Sequence, residues 1–281
     1  MALFARAGLA QSKPRPPASL GWLGTYDGNI IGGLMIGFGM ALTGACPGTV
    51  LVQLVTGVRS GWAVFAGGLL GGVLYSRLSG SFRGKRPTAA VEADKLALHT
   101  KFGIDTRRAI LAYEAACLAL ITLVTVFGPK SPFVPVHPLI GGVLIGGAQA
   151  ASLLLTGNPV GVSTAYEQAG WYFWRAYNSV LGRGPKDTPP PSTKSVFFAT
   201  GIAAGSWLMA QSLPFVAAET GSQVSLARGL MGGCIMVLGA RLAGGCTSGH
   251  GISGMSLLSV ASIITVASMF AGGIGLAAVI L

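Results

Sequence analysis

Long apolar runs alternate with short polar or glycine–proline punctuation along this chain of 281 residues. Several of the runs approach the roughly 20 residues that carry a helix across a bilayer. Taken in order they fall at 22–43, 62–75, 109–127, 139–155, 195–216, 227–243 and 255–281. The pattern predicts an all-α polytopic membrane protein with about seven transmembrane helices. It forms a single transmembrane domain over 1–281, with halves at 22–127 and 138–281 and a flexible, proline-rich basic tail at 1–18. Between spans the pattern breaks in mid-membrane. Gly44-Ala45-Cys46-Pro47-Gly48 interrupts the first run, and Pro47 then suits the first position of a new half-helix beginning near Thr49. Cys246 to Gly254 forms a second break, and Thr156-Gly157-Asn158-Pro159-Val160-Gly161 a third of the same kind without a cysteine.

The two cysteine breaks belong to a longer internal match. Gly32, Gly33, Gly39, Leu42, Gly44 and Cys46 align without a gap on Gly232, Gly233, Gly239, Leu242, Gly244 and Cys246. With only 4 cysteines in the chain, two at equivalent points are not expected by chance. The match reads as two copies of one unit, each placing a thiol in a glycine-rich break. Gly67, Gly68, Gly71 and Gly72 form overlapping Gly-x-x-x-Gly pairs in the second span, a spacing that lets helix backbones approach closely in lipid.

Composition and charge narrow the picture. Hydrophobic residues make up 51% and charged residues 10%, so the chain lacks the polar surface of a soluble domain. The net charge of +11 would point to nucleic acid in a soluble protein. Here the cations gather at 77–108 and 175–194, and the positive-inside rule explains them as cytoplasmic loops, with the N-terminus on the same side. No nucleic acid is expected as a partner. The aromatic cluster Trp171, Tyr172, Phe173, Trp174 and Tyr177 beside Arg175 predicts an interfacial helix over 170–182. Apolar surroundings of the cysteines do not fit a secreted disulfide scaffold.

Irregular backbone at membrane depth is tolerated where it is buried in protein or lines a cavity. Paired breaks in corresponding halves point to a transport site. A helix starting at such a break turns free N–H groups and its positive dipole end inward, which suits an anion. Gly44, Gly48, Gly245 and Gly249 allow close backbone approach, while Thr247 and Ser248 are placed to cap the next turn or to offer hydroxyls to a ligand. Cys46 and Cys246 add a soft, polarisable group that suits a terminal sulfur better than a hard oxyanion. Metal transport competes for the same soft chemistry, but no CxxC pair or nearby acidic ligand accompanies the thiols, so no metal or other cofactor is expected. A membrane thiol enzyme, working by redox or sulfur transfer through the same cysteines, is the alternative. Cys117 and Cys234 sit inside apolar helices and read as packing residues, with Cys234 a secondary candidate for the path. His250 is either a wall residue or the partner of a buried carbonyl. Arg241 lies within a span, where a charge marks function or a pair, and Glu114 is its expected partner.

Gly44 to Thr49 and the run Gly244 to Gly254 together resemble the YeeE/YedE family of sulfur-compound transporters, and the resemblance covers most of the chain from about Gly28. It implies an hourglass-shaped helical protein whose helix-breaking loops meet at the centre. It also implies uptake of thiosulfate, passed along thiols in a narrow path, with Cys46 and Cys246 in that role. The path residues expected beside them are Gly44, Pro47, Gly48, Thr49, Gly245, Thr247, Ser248, Gly249, His250 and Asn158. Asn158-Pro159 stands where the resemblance would allow a further relay cysteine. Membrane lipid and a cytosolic sulfur-carrier or sulfurtransferase protein are the expected partners, and the plasma membrane the expected location.

Overall fold

The computed structural model describes residues 14–82, 96–128, 138–157, 161–182, 192–212 and 224–280. In chain order the helices are α1 (Asp27–Thr43), α2 (Thr49–Val55), α3 (Arg59–Phe82), α4 (Leu98–Lys101), α5 (Thr106–Phe127), α6 (Pro138–Thr156), α7 (Ser163–Val180), α8 (Lys194–Ser212) and α9 (Leu226–Leu242). A π-helical turn (Ser248–Gly254) and a 3-10 turn (Met255–Leu257) then lead into α10 (Val260–Ile280). The protein is all-α. Its β-type pairing among the described residues is the single bridge between Ala97 and Ser259.

Local chemistry sets the helix ends. Asp105 and Ser225 cap α5 and α9, their side chains accepting from the N–H groups of Arg107 and Arg228. Gly44 closes α1 at φ +65°, donating its N–H to the Met40 carbonyl, and Gly244 follows α9 at φ +79°. Both turns need the left-handed region that glycine enters without a Cβ penalty.

At the centre α1 crosses α9, and the contact is made by glycine against backbone. A Cβ on Gly32 would lie 2.5 Å from the Gly239 carbonyl oxygen, and one on Gly239 would lie 2.7 Å from that of Gly32. One helix turn pair away, Gly39 faces the Gly232 carbonyl at 2.7 Å and Gly232 faces that of Gly39 at 3.3 Å. The contacts therefore exchange between the two helices. The outer flanks follow the same scheme. Gly33 of α1 abuts Thr265 and Ser268 of α10, while Gly233 of α9 abuts Val64 and Gly68 of α3. Ile36, Val50, Val64, Met236, Ala240 and Met269 fill the core around this crossing.

α7 packs along α3, where Gly170 meets Gly72 backbone to backbone. Its first half, with Ser163, Tyr166, Gln168 and Gly170, is buried. The expectation of an interfacial helix over 170–182 is thus corrected: the helix starts at Ser163 and its N-terminal half belongs to the core. The second half keeps the interfacial character, with the Arg175 guanidinium 5.2 Å from the Trp171 ring and that of Arg77 5.6 Å from Trp174.

α5 and α10 are long and apolar enough to cross a membrane, with mean hydropathies of 2.2 and 1.9. α5 has no buried residue among those described, so an apolar helix of 22 residues leaves most of its surface exposed. Lipid is the medium that tolerates such a surface. The basic stretch at 83–95 lies outside the described residues.

Candidate functional site: the cysteine breaks

The first break forms because α1 stops at Gly44 and Thr43 turns its hydroxyl back, donating to the Gly39 carbonyl at 2.7 Å. The chain then passes through Ala45 and Cys46 into α2. Thr49 builds the turn: its Oγ1 accepts from the Cys46 N–H at 2.7 Å, and both its N–H and its hydroxyl approach the Cys46 Sγ at 3.5 Å. Gly48 precedes α2, and a Cβ there would lie 3.8 Å from Val162 and 3.9 Å from the Cys46 Sγ. Cys46 is half-buried and unbridged.

The second break follows α9. Gly245 donates its N–H to the Ala240 carbonyl at 2.8 Å, and the π turn then wraps so that the His250 N–H reaches the Cys246 carbonyl at 2.9 Å. Cys246 is 1% exposed and also unbridged. Its Sγ lies 3.2 Å from the Ser248 hydroxyl, and the backbone N–H groups of Gly249, Val162 and Ser163 lie near enough to act on it electrostatically. Of its two expected uses Thr247 does not take the first, a cap on the turn; its hydroxyl reaches the Met40 sulfur at 3.6 Å.

The third component is the start of α7. Val162 and Ser163 bring backbone N–H groups near the Cys246 sulfur, and Tyr166, one turn on, donates its hydroxyl to the Pro47 carbonyl at 3.0 Å. Tyr166 is close enough to both thiols to feel each of them. Both cysteine breaks and the N-terminus of α7 thus converge on one place, and Ala45 and Cys246 share a packed cluster. Asn158 and Pro159, immediately upstream, lie outside the described residues. Neither thiol has a carboxylate or imidazole bonded to it among the described groups. What surrounds them is N–H and O–H donors, an environment for an anion or for sulfur.

His250 resolves toward the backbone. It is buried, with Nε2 3.1 Å from the Ala243 carbonyl and Nδ1 3.0 Å from the Ser262 hydroxyl. Nε2–H therefore donates to the carbonyl, and both ring nitrogens are engaged in the fold. Arg241 is also corrected. Its partner is Glu167 of α7, with which it forms an ion pair, while Nη1 donates to Thr164 at 3.4 Å and the guanidinium stacks 5.5 Å from the Tyr75 ring. Glu114 is exposed on α5, away from the core. The reason is register: α7 starts at the break and brings Glu167 beside α9, a placement a span count does not show. Cys117 and Cys234 are half-buried, on α5 and α9.

The tail at 14–18, expected to be flexible, is laid over the second break. Arg15 donates from Nε to the Gly249 carbonyl at 3.0 Å and from Nη1 to that of Gly244 at 2.8 Å. Burial lowers its pKa from the ordinary value, and the guanidinium remains charged. Asn29 anchors the segment further along, accepting from the Ala18 N–H at 2.8 Å and donating to Thr265 at 2.8 Å and to the Ala243 carbonyl at 3.3 Å. Asp27 gathers the N–H groups of Leu20, Trp22 and Leu23. A cavity of about 230 Å³ opens beside this segment, lined in part by Arg15, Tyr75, Arg241 and His250. Arg15, Asn29, Tyr166 and Glu167 were missed in the sequence. A polar side chain at the edge of an apolar run was the available signal for Asn29 and Asp27; Tyr166-Glu167 directly after the third break was the signal for the other pair.

The comparisons with known proteins give the class as a membrane transporter. The chain belongs to the sulphur-transport family, whose model matches residues 1–275. It is 26% identical to "Thiosulfate transporter TsuA" of Spirochaeta thermophila, over 92% of this chain and 77% of that protein. A "Probable transporter" of Xylella fastidiosa is 28% identical over 144 residues, which are 50% of this chain and 91% of the relative.

Proposed function

We propose that this protein carries thiosulfate across the membrane through a path between Cys46 and Cys246, with the thiols contacting the substrate's terminal sulfur in turn. The observation that carries the reading is the convergence of both cysteine breaks on the N-terminus of α7. There the N–H groups of Val162, Ser163 and Gly249 lie near the Cys246 sulfur, and Tyr166 donates to the Pro47 carbonyl. A soft anion in this position meets N–H donors for its charge and thiols for its sulfur. Gly44, Pro47, Gly48, Thr49, Gly245, Thr247, Ser248 and Gly249 form the walls in this reading, and Asn158 would enter from the third break.

The halves are read as two copies of one unit in an hourglass-like bundle of about seven spans. Support comes from the exchanged contacts of Gly32 with Gly239 and Gly39 with Gly232, and from the left-handed glycines at the matched ends of α1 and α9. A relative matched over 91% of its length by half of this chain fits the same reading. The plasma membrane, with the N-terminus in the cytoplasm, is the proposed setting, and a cytosolic sulfur carrier the proposed recipient.

The test is uptake of labelled thiosulfate by proteoliposomes, with variants at equal reconstitution. Serine is near in size to cysteine but harder, so Cys46→Ser or Cys246→Ser should sharply reduce uptake, while Cys117→Ala should leave it close to wild type. Full uptake by the Cys46→Ala/Cys246→Ala double variant would defeat the thiol path.

A further inference from the structure

We propose that the cavity of about 230 Å³ between the 14–20 segment and the end of α9 is a separate binding site for a tetrahedral divalent oxyanion, with Arg15 as its principal ligand group. The choice of a divalent oxyanion rests on the transport reading above; the site itself rests on its own geometry.

Arg15 is held without a counter-charge. Nε and Nη1 are spent on the carbonyls of Gly249 and Gly244, and among the described residues no carboxylate pairs with it. Its Nη2 has no acceptor among those residues and belongs to a side chain lining the cavity. A guanidinium in this state presents part of its planar donor fork, the geometry that binds oxyanions. A second cation stands on the same wall. Arg241 shares its charge with Glu167, which does not line the cavity, and its Nε is buried without a partner. Among the described residues the wall therefore carries two guanidinium groups and no carboxylate. The Tyr75 ring holds Arg241 in place, and His250, hydrogen-bonded to Ser262 and the Ala243 carbonyl, completes the lining. Gly244 lines the cavity, and through the carbonyls of Gly244 and Gly249 Arg15 is tied to the thiol break. Arg15 has room to sit there because Gly245 and Gly249 lack side chains: a Cβ on either would lie 2.8 Å from its terminal nitrogens.

The competing account is that Arg15 only ties the N-terminal segment to the break. Thermal unfolding of the full chain in detergent separates the two, with sulfate as probe and chloride at equal ionic strength as reference. Sulfate has the charge and shape of thiosulfate but no terminal sulfur, so it reads this site without the thiol path. A ligand that binds only the folded state raises the midpoint in a concentration-dependent way. Sulfate should stabilise the wild type and the Cys46→Ala/Cys246→Ala variant alike. Arg15→Gln should weaken the apparent sulfate affinity by about tenfold or more, with Arg15→Lys in between. An unchanged sulfate increment in Arg15→Gln, even from a lower starting midpoint, would leave Arg15 a tether and overturn the site. No sulfate increment in the wild type would overturn it as well. Thiosulfate uptake that fails while the Arg15-dependent increment persists would sink the transport reading and leave the site standing.

Discussion

The crossing of α1 and α9 makes a sharp quantitative test. Gly32→Ala would place a methyl group 2.5 Å from the Gly239 oxygen, 2.6 Å from the Ala243 nitrogen and 2.9 Å from the Ala243 Cβ. Ordinary carbon contacts begin at about 3.5 Å, so the helices must part by about 1 Å. The obstacles are backbone and a methyl with no rotamer to adopt, and relief comes only by moving a helix. Overpacking of this kind costs about 1–3 kcal/mol. Alanine's gain in helix propensity, ~0.5–1 kcal/mol, offsets a part. A net loss of ~1–2 kcal/mol is expected, a fall in the unfolding midpoint of ~2–8 °C for a chain of this size. Gly239→Ala should cost as much, since its Cβ would lie 2.6 Å from the Met35 Cβ and 2.7 Å from the Gly32 oxygen. The pair should not be additive. Once the first methyl has moved the helices apart, the second enters the gap it made, and the double variant should fall short of the summed losses by ~0.5 kcal/mol or more. Gly146→Ala on α6, where nothing lies within 4 Å, is the control and should be neutral or slightly stabilising. Thermal unfolding in one detergent, followed by circular dichroism, reads all of these. If Gly32→Ala behaves like Gly146→Ala, the close crossing is wrong.

Two further outcomes follow from the site. Arg241→Ala and Glu167→Ala should show a coupling of about 1 kcal/mol or more in a double-mutant cycle, because removing one partner strands a partly buried charge; Glu114→Ala should couple to neither, and additive losses for Arg241 and Glu167 would dismiss the pair. Tyr166→Phe removes the hydroxyl from the Pro47 carbonyl and should cost ~1–3 kcal/mol in unfolding while lowering thiosulfate uptake; unaltered stability and uptake together would remove Tyr166 from the junction.

The apolar runs located the helices because a helix is a local object whose backbone bonds close within the segment; two of them, α5 and α10, are also long and apolar enough to cross a membrane. The breaks were equally legible, since glycine and proline change the chain where they stand. Gly44 and Gly244 end their helices at the marked places, and Cys46 and Cys246 occupy the turns that follow. Contacts between distant segments were a different matter. That Arg241 pairs with Glu167 and not Glu114 depends on how α7 is rotated and set against α9, which no local pattern encodes. Tyr166 acquires meaning only when its hydroxyl meets a carbonyl 119 residues away, and Arg15 only when a tail that reads as disordered finds two carbonyls across the fold. Composition made 14–18 look flexible because proline and arginine bury little apolar area. Its order comes instead from carbonyls of the broken helix, acceptors that exist only once the break has formed.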